Sequence, residues 1–243
     1  MTDTPSLPDD PGLHAPVRML QELLRSHERR EGPHAARRIV VGLAGLPGSG
    51  KSTLAARLVA ALDRREGPGT AVALGMDGFH LSRAQLARFP DPARALARRG
   101  APWTFDARAL AERLRRLRAE PASTDAADGA VVRWPSFAHG VGDPVPDAVA
   151  VPPATRLVVI EGLYLLHRHD GWDLDGLLDV CWYLDVDADA ALERLTRRHM
   201  ASWGLDRAAA TARVQANDRL NAQIVAASRH RADVLLPARC AGL

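Results

Sequence analysis

The clearest chemistry in this chain lies in one short run, Gly45-Leu46-Pro47-Gly48-Ser49-Gly50-Lys51-Ser52. It satisfies the pattern Gly-x-x-x-x-Gly-Lys-Ser/Thr at each fixed position. The residue types follow from what such a run can hold. Glycines let backbone N–H groups turn inward around phosphate oxygens, and a helix starting there adds the positive end of its dipole. Lys51 would reach the β- and γ-phosphates of a nucleoside triphosphate, and the Ser52 hydroxyl would be a ligand of Mg2+. Gly45, Pro47, Gly48, Ser49, Gly50 and Thr53 belong to the same cradle.

Lys51 is also the only lysine, because the 32 basic residues are 31 arginines and this one. Ras-type guanine recognition needs an Asn/Thr-Lys-x-Asp box and therefore a second lysine. Protein kinases need a strand lysine far from such a loop, and Schiff-base enzymes need one in a substrate pocket. All three are excluded; the ligand expected on the loop is ATP with Mg2+. The arginine excess itself reads as the mutational bias of a GC-rich genome.

Two acids are placed to work beside the loop. Asp77, in Met76-Asp77-Gly78-Phe79-His80, directly follows an apolar strand, and strand carboxyl ends face the ligand crevice of an open parallel sheet. It reads as a general base for a substrate hydroxyl, or alternatively as a turn cap, since Asp-Gly is a common turn dipeptide. His80 reads as a substrate contact or as a partly exposed loop histidine. Glu161 ends the run Leu157-Val158-Val159-Ile160, the Walker B arrangement that sets a carboxylate beside the metal or the substrate; a structural hydrogen bond is the alternative. Further on, Arg194, Arg197 and Arg198 have helical spacing that would let all three share one flank. Arginines there could close over a transferring phosphoryl group as a lid, or form an ordinary solvated face.

The elements that must position these groups alternate. Residues 38–44 read as a strand, 45–50 as a turn and 52–62 as a helix, the order a phosphate loop requires. Strands are expected at 70–76, 131–134, 157–160, 180–184 and 232–236. Helices are expected at 17–30, 82–89, 106–118, 188–200 and 207–227, with Asp106 as an N-cap. Strands separated by helices imply a parallel sheet covered on both faces. The first dozen residues read as loose, 121–129 as a linker, and 135–153 as a Pro- and Gly-rich loop long enough to be a binding loop. The expected organisation is a tail and amphipathic helix over 1–36, followed by one domain over 37–243.

Composition bounds the rest. At 47% hydrophobic and 25% charged the chain is ordinary globular protein. Net charge is only +3, so no basic block announces nucleic acid. Arg108, Arg113, Arg115, Arg116 and Arg118 spread around a helix whose Leu110, Leu114 and Leu117 form a packing stripe. Cys181 and Cys240 are too few for a disulfide scaffold and fit a reducing cytoplasm. No apolar run approaches membrane-spanning length, and the acidic start is not a signal peptide. A homodimer is neither indicated nor excluded.

These residues resemble the uridine kinase, pantothenate kinase and phosphoribulokinase group of P-loop kinases, and most of all its bacterial nucleoside/nucleotide kinase branch, which includes a kinase associated with fructose transport. The resemblance runs from residue 38 onward. Besides the loop it rests on Met76-Asp77-Gly78-Phe79-His80, Arg98-Arg99-Gly100-Ala101-Pro102-Trp103-Thr104-Phe105-Asp106, Gly142-Asp143-Pro144-Val145, Ile160-Glu161-Gly162-Leu163-Tyr164, Arg194-Leu195 with Arg198-His199, and Asn217-Asp218 with Asn221. It implies a P-loop three-layer α/β/α sandwich with a mainly parallel five-stranded sheet and a helical lid at about 188–206. It also implies Asp77 as catalytic base, Glu161 beside Mg2+ or the acceptor, lid arginines on the phosphates, and Asn217 and Asn221 near a ligand. In Pro135-Ser136-Phe137-Ala138-His139, phenylalanine stands where uridine kinases tend to have tyrosine, so Phe137 is a substrate candidate; alanine stands where relatives often carry aspartate.

The leading expectation is an ATP-dependent kinase acting on a hydroxyl of a small metabolite: a nucleoside, a pantothenate-like alcohol or a sugar. The runner-up is a P-loop ATPase switch that couples hydrolysis to a protein partner.

Overall fold

The computed structural model describes residues 10–31, 37–120, 130–138 and 141–242. The expected linker 121–129, His139 and residues 1–9 of the tail lie outside the described residues. In chain order the strands are β1 (Ile39–Gly45), β2 (Ala71–Gly75), β3 (Val132–Ala138), β4 (Asp143–Val151), β5 (Leu157–Gly162), β6 (Val180–Asp185) and β7 (Val234–Pro237). The helices are α1 (Pro11–Glu31), α2 (Lys51–Glu66), α3 (Arg83–Leu86), α4 (Pro92–Ala97), α5 (Ala107–Ala119), α6 (Ala188–Trp203), α7 (Arg207–Arg213) and α8 (Arg219–Ala227).

Five strands form one sheet in the order β2-β5-β1-β6-β7, and every pairing in it is parallel. All seven residues of β1 are buried. Successive side chains point to opposite faces of a strand, so burial throughout means that both faces are covered, as an α/β/α sandwich requires. Leu157, Val158, Val159 and Ile160 of β5 are likewise fully buried, each stabilising the fold by at most about 1.5–3 kcal/mol. The same register brings functional ends together, because Glu161 pairs with Leu43 of β1 on one side and with Gly75 of β2 on the other.

Helix α1 packs on this frame through Leu13, Val17, Leu20 and Leu24. It starts at Pro11 rather than at residue 17. Pro16 lies inside it, and the Asp10 carboxylate accepts from Gly12 N–H at 2.8 Å as the cap. No helix among the described residues is long and apolar enough to cross a membrane.

One further expectation is corrected. The loop expected over 135–153 is mostly a β-hairpin, with β3 and β4 pairing antiparallel outside the main sheet. Its prolines hid it. In a two-stranded ribbon both strands are edges, where proline need donate nothing, and Pro135 sits where the register shifts between Trp134 and Ser136. Trp134 anchors the ribbon, fully buried, with Nε1 donating to the Gly75 carbonyl at 2.9 Å. The long helix expected over 207–227 is present over those residues, α7 running into α8 without a break through a π-helical turn, Val214–Asp218.

One arginine is not surface excess at all. Arg38 is wholly buried just before β1 and donates to the carbonyls of Thr155, Leu117 and Glu120 at 3.1, 3.1 and 2.7 Å. It cross-links the end of α5 to the approach to β5.

Candidate active site

The phosphate loop leaves β1 and enters α2 through two left-handed glycines, Gly48 at φ 75° and Gly50 at φ 92°. At Gly48 close approach also matters. A Cβ there would stand 2.3 Å from the Ala191 carbonyl oxygen of α6, so glycine is what lets the arginine helix rest on the loop. Lys51 is buried and curls back, donating to the Leu46 carbonyl at 2.8 Å, with Ser49 Oγ at 3.5 Å. The first N–H groups of α2 have no partner within the helix and belong to residues that line the site.

Pro47, Gly48, Gly50, Lys51, Ser52 and Thr53 share one cavity of about 400 Å³ with Asp77, Glu161, Arg194 and Arg198. The acids arrive on neighbouring strands: Glu161 on β5, Asp77 in the turn Met76–Phe79 that follows β2. Gly78 in that turn lies under the hairpin, where a Cβ would meet the Pro135 carbonyl oxygen at 2.3 Å. Ser52 Oγ donates to Glu161 Oε1 at 2.9 Å. Burial depresses the Lys51 amine below its usual range; Glu161 and Asp77 oppose this and Arg198 reinforces it. Burial pushes the Glu161 carboxyl above the usual carboxylate range. Lys51 pulls it back, Asp77 pushes it further, and the Ser52 hydrogen bond and Arg198 pull it back.

This donor set suits Mg2+. A hydroxyl and a carboxylate in contact are hard oxygen ligands, and Mg2+ characteristically takes one or two such side chains together with phosphate oxygens and waters. A carboxylate whose charge is disfavoured by burial gains most from a nearby cation.

Helix α6 carries the arginines over the loop. Arg194 Nε donates to the Gly48 carbonyl at 2.9 Å, while its Nη2 is buried with no partner among the described residues. Arg198, one turn on, lines the cavity. Arg197 does not share their flank. Its side chain is 67% exposed and lies 3.6 Å from Glu193, because successive helical residues turn by about 100° and packing against the loop selects the face of Arg194 and Arg198.

The remaining candidates lie outside this cavity. Ser49 is fully buried behind the loop, and Gly45 ends β1. His80 forms a wall beside Asp77, its Nδ1 2.8 Å from the Asp77 carbonyl and its ring 3.9 Å from Phe105 and 4.7 Å from Phe137. Asn217 and Asn221 are buried and hold Arg98, at 2.7 and 3.2 Å. The pairing of Arg99 with Asp143 at 2.8 Å went unassigned in the sequence, as did the Tyr164 hydroxyl donating to the Gly100 carbonyl at 2.6 Å. Both sit in segments that carry the resemblance, which was the only available signal for them.

A phosphate loop between a central strand and its helix, carboxylates at the ends of the adjacent strands β5 and β2, and arginines laid over the loop define a P-loop kinase. Residues 40–240 match the Phosphoribulokinase / Uridine kinase family, and the chain belongs to it. It is 42% identical over 164 residues to the ATP-dependent kinase-like protein notR' of Aspergillus versicolor, spanning 67% of this chain and 93% of that one. It is 40% identical over 202 residues to the Schizosaccharomyces pombe protein named "Putative uridine kinase C227.14", 82% of this chain and 83% of that one. Among solved structures, a Silicibacter sp. TM1040 protein described as a "putative fructose transport system kinase" superposes with a TM-score of 0.76 at 36% identity, covering 91% of this chain and 98% of that one. YFH7 of Saccharomyces cerevisiae shares the fold, with a TM-score of 0.75 at 22% identity over 90% of this chain and 97% of that one. Family membership makes the protein a phosphotransferase of the ATP-using kind.

Proposed function

We propose that the chain transfers the γ-phosphoryl group of Mg2+-ATP to a hydroxyl of a small metabolite: a nucleoside, a pantothenate-like alcohol or a sugar. The observation that carries this reading is that Asp77 opens into the same cavity as Lys51, Ser52 and Arg198. A carboxylate facing the phosphate end is placed to take the proton of an acceptor hydroxyl. Asp77 takes the hydroxyl proton as the acceptor oxygen bonds to the γ-phosphorus, and the bond from that phosphorus to the bridging oxygen breaks, its electron pair leaving with ADP. Lys51, Arg194 and Arg198 neutralise charge on the oxygens in transit. Ser52 and Glu161 would hold Mg2+, which would supply further neutralisation of phosphate charge. Helix α6, resting on Gly48, is the element that would limit water competing as acceptor. His80 and Phe137, their rings tilted against each other at 4.7 Å, supply an aromatic wall beside Asp77 against which the acceptor would lie. The names carried by the relatives, a uridine kinase and a fructose transport system kinase, are consistent with a nucleoside or a sugar.

ADP release measured over nucleosides, pantothenate and free sugars tests this. It should rise with one acceptor, require Mg2+, and fall roughly 10²–10⁴-fold in Asp77→Asn while ATP still binds. ADP release that ignores each acceptor but responds to a protein partner would establish the ATPase switch instead.

A further inference from the structure

Over Val214–Asp218 the helical ladder widens, and the Arg219 N–H reaches back five residues to the Val214 carbonyl. Such π turns have poorer hydrogen-bond geometry and recur at functional sites. Adjacent residues of this one grip different parts of the molecule. Asn217, 5% exposed, accepts from Arg98 Nη1 through Oδ1 at 2.7 Å and through its own carbonyl at 3.2 Å. Its Nδ2 donates to the Arg99 carbonyl at 2.8 Å. Asn221, one turn further on the same side, accepts from Arg98 Nη2 at 3.2 Å. Asp218, about 100° round from Asn217, meets His199 Nε2 of α6 at 3.0 Å. The buried His199 ring stacks on Trp203 at 4.4 Å, and the guanidinium of Arg213 in α7 covers Trp203 at 4.3 Å.

Each grip leads into the site. His199 adjoins Arg198 on the helix that rests on Gly48. Residues 98–100 lead through Arg99 to Asp143 of the hairpin and to the Phe137 ring, 5.3 Å away, and through the Gly100 carbonyl to Tyr164. The phosphate side and the acceptor side of the site are thus tied to consecutive residues of one turn.

We propose that this π turn is the joint that sets segment 98–100 against the arginine helix, with Asn217 and Asp218 as positioning residues that hold acceptor wall and phosphate clamp in one register. The kinetic part of the test rests on the transferase reading; the exchange part does not. Hydrogen exchange of the 98–101 backbone amides is measured in the whole chain and in Asp218→Ala. Exchange there should rise roughly ten-fold although residue 218 does not touch that segment, and kcat should fall roughly 10- to 100-fold, as expected of a displacement near 1 Å. ATP affinity should stay within about three-fold. Asp218→Asn keeps an acceptor oxygen for His199 and should recover most of both losses. The losses in Arg98→Gln and Asp218→Ala should be non-additive. Unchanged exchange at 98–101 in folded Asp218→Ala, no recovery in Asp218→Asn, or additive losses would each overturn the joint. Should Asp218→Ala fail to fold, His199→Gln combined with Arg98→Gln gives the same comparison. If the intact chain phosphorylates no acceptor, the transferase reading falls while the exchange measurement still decides the joint.

Discussion

Replacing Gly48 by alanine should damage catalysis more than stability, and the size of each effect follows from the geometry. The residue sits at φ 75°, where a Cβ costs about 1–2 kcal/mol. That Cβ would stand 2.3 Å from the Ala191 carbonyl oxygen, while ordinary contact begins near 3.4 Å, so α6 must retreat by about 1 Å. The retreat strains or breaks the bond from Arg194 to the Gly48 carbonyl, a charged-donor bond worth about 1.5–3 kcal/mol. A total near 2.5–5 kcal/mol should lower Tm by roughly 5–20 °C in a chain of this size. A displacement of about 1 Å in the arginines should lower kcat by roughly 10²-fold. Gly69→Ala is the matched control. Gly69 has φ 79° and nothing within 4 Å of its would-be Cβ, so it carries the same backbone strain without displacing α6. Calorimetry with steady-state ADP release should therefore find both variants destabilised but only Gly48→Ala crippled. Equal kcat values for the two folded variants would refute the reasoning.

Two further substitutions test the charges. Lys51→Arg keeps the cation but must fit a planar guanidinium where Nζ lies between the Leu46 carbonyl and Ser49 Oγ; kcat/KM should fall about 10²–10³-fold, and retained turnover would count against this account of the loop. Arg198→Ala should lower kcat about 10²-fold, whereas Arg197→Ala, which removes only an exposed ion pair with Glu193, should change it less than about three-fold. The reverse order in steady-state assays would show that the arginine helix is used from its other flank.

What could be read directly from the sequence was what is contiguous. The phosphate loop is eight adjacent residues whose conformation depends mainly on its own glycines. Asp77 and Glu161 each follow an apolar strand, so parallel pairing alone sends both toward the end where the loop lies. Tertiary structure decided the rest. Three arginines at helical spacing do not reveal their rotational phase; packing on Gly48 turned Arg194 and Arg198 inward and left Arg197 in solvent. The hairpin was hidden because its prolines forbid a central strand but not an isolated ribbon, whose stability comes from burying Trp134 against the end of β2. Arg38 looked like one more genomic arginine until the carbonyls of residues 117, 120 and 155 converged on it. Asn217 and Asn221 pair with residues more than a hundred positions away. Local residue types determine which groups can do chemistry, but which of them meet depends on contacts between distant segments, and those form only when the common core is buried.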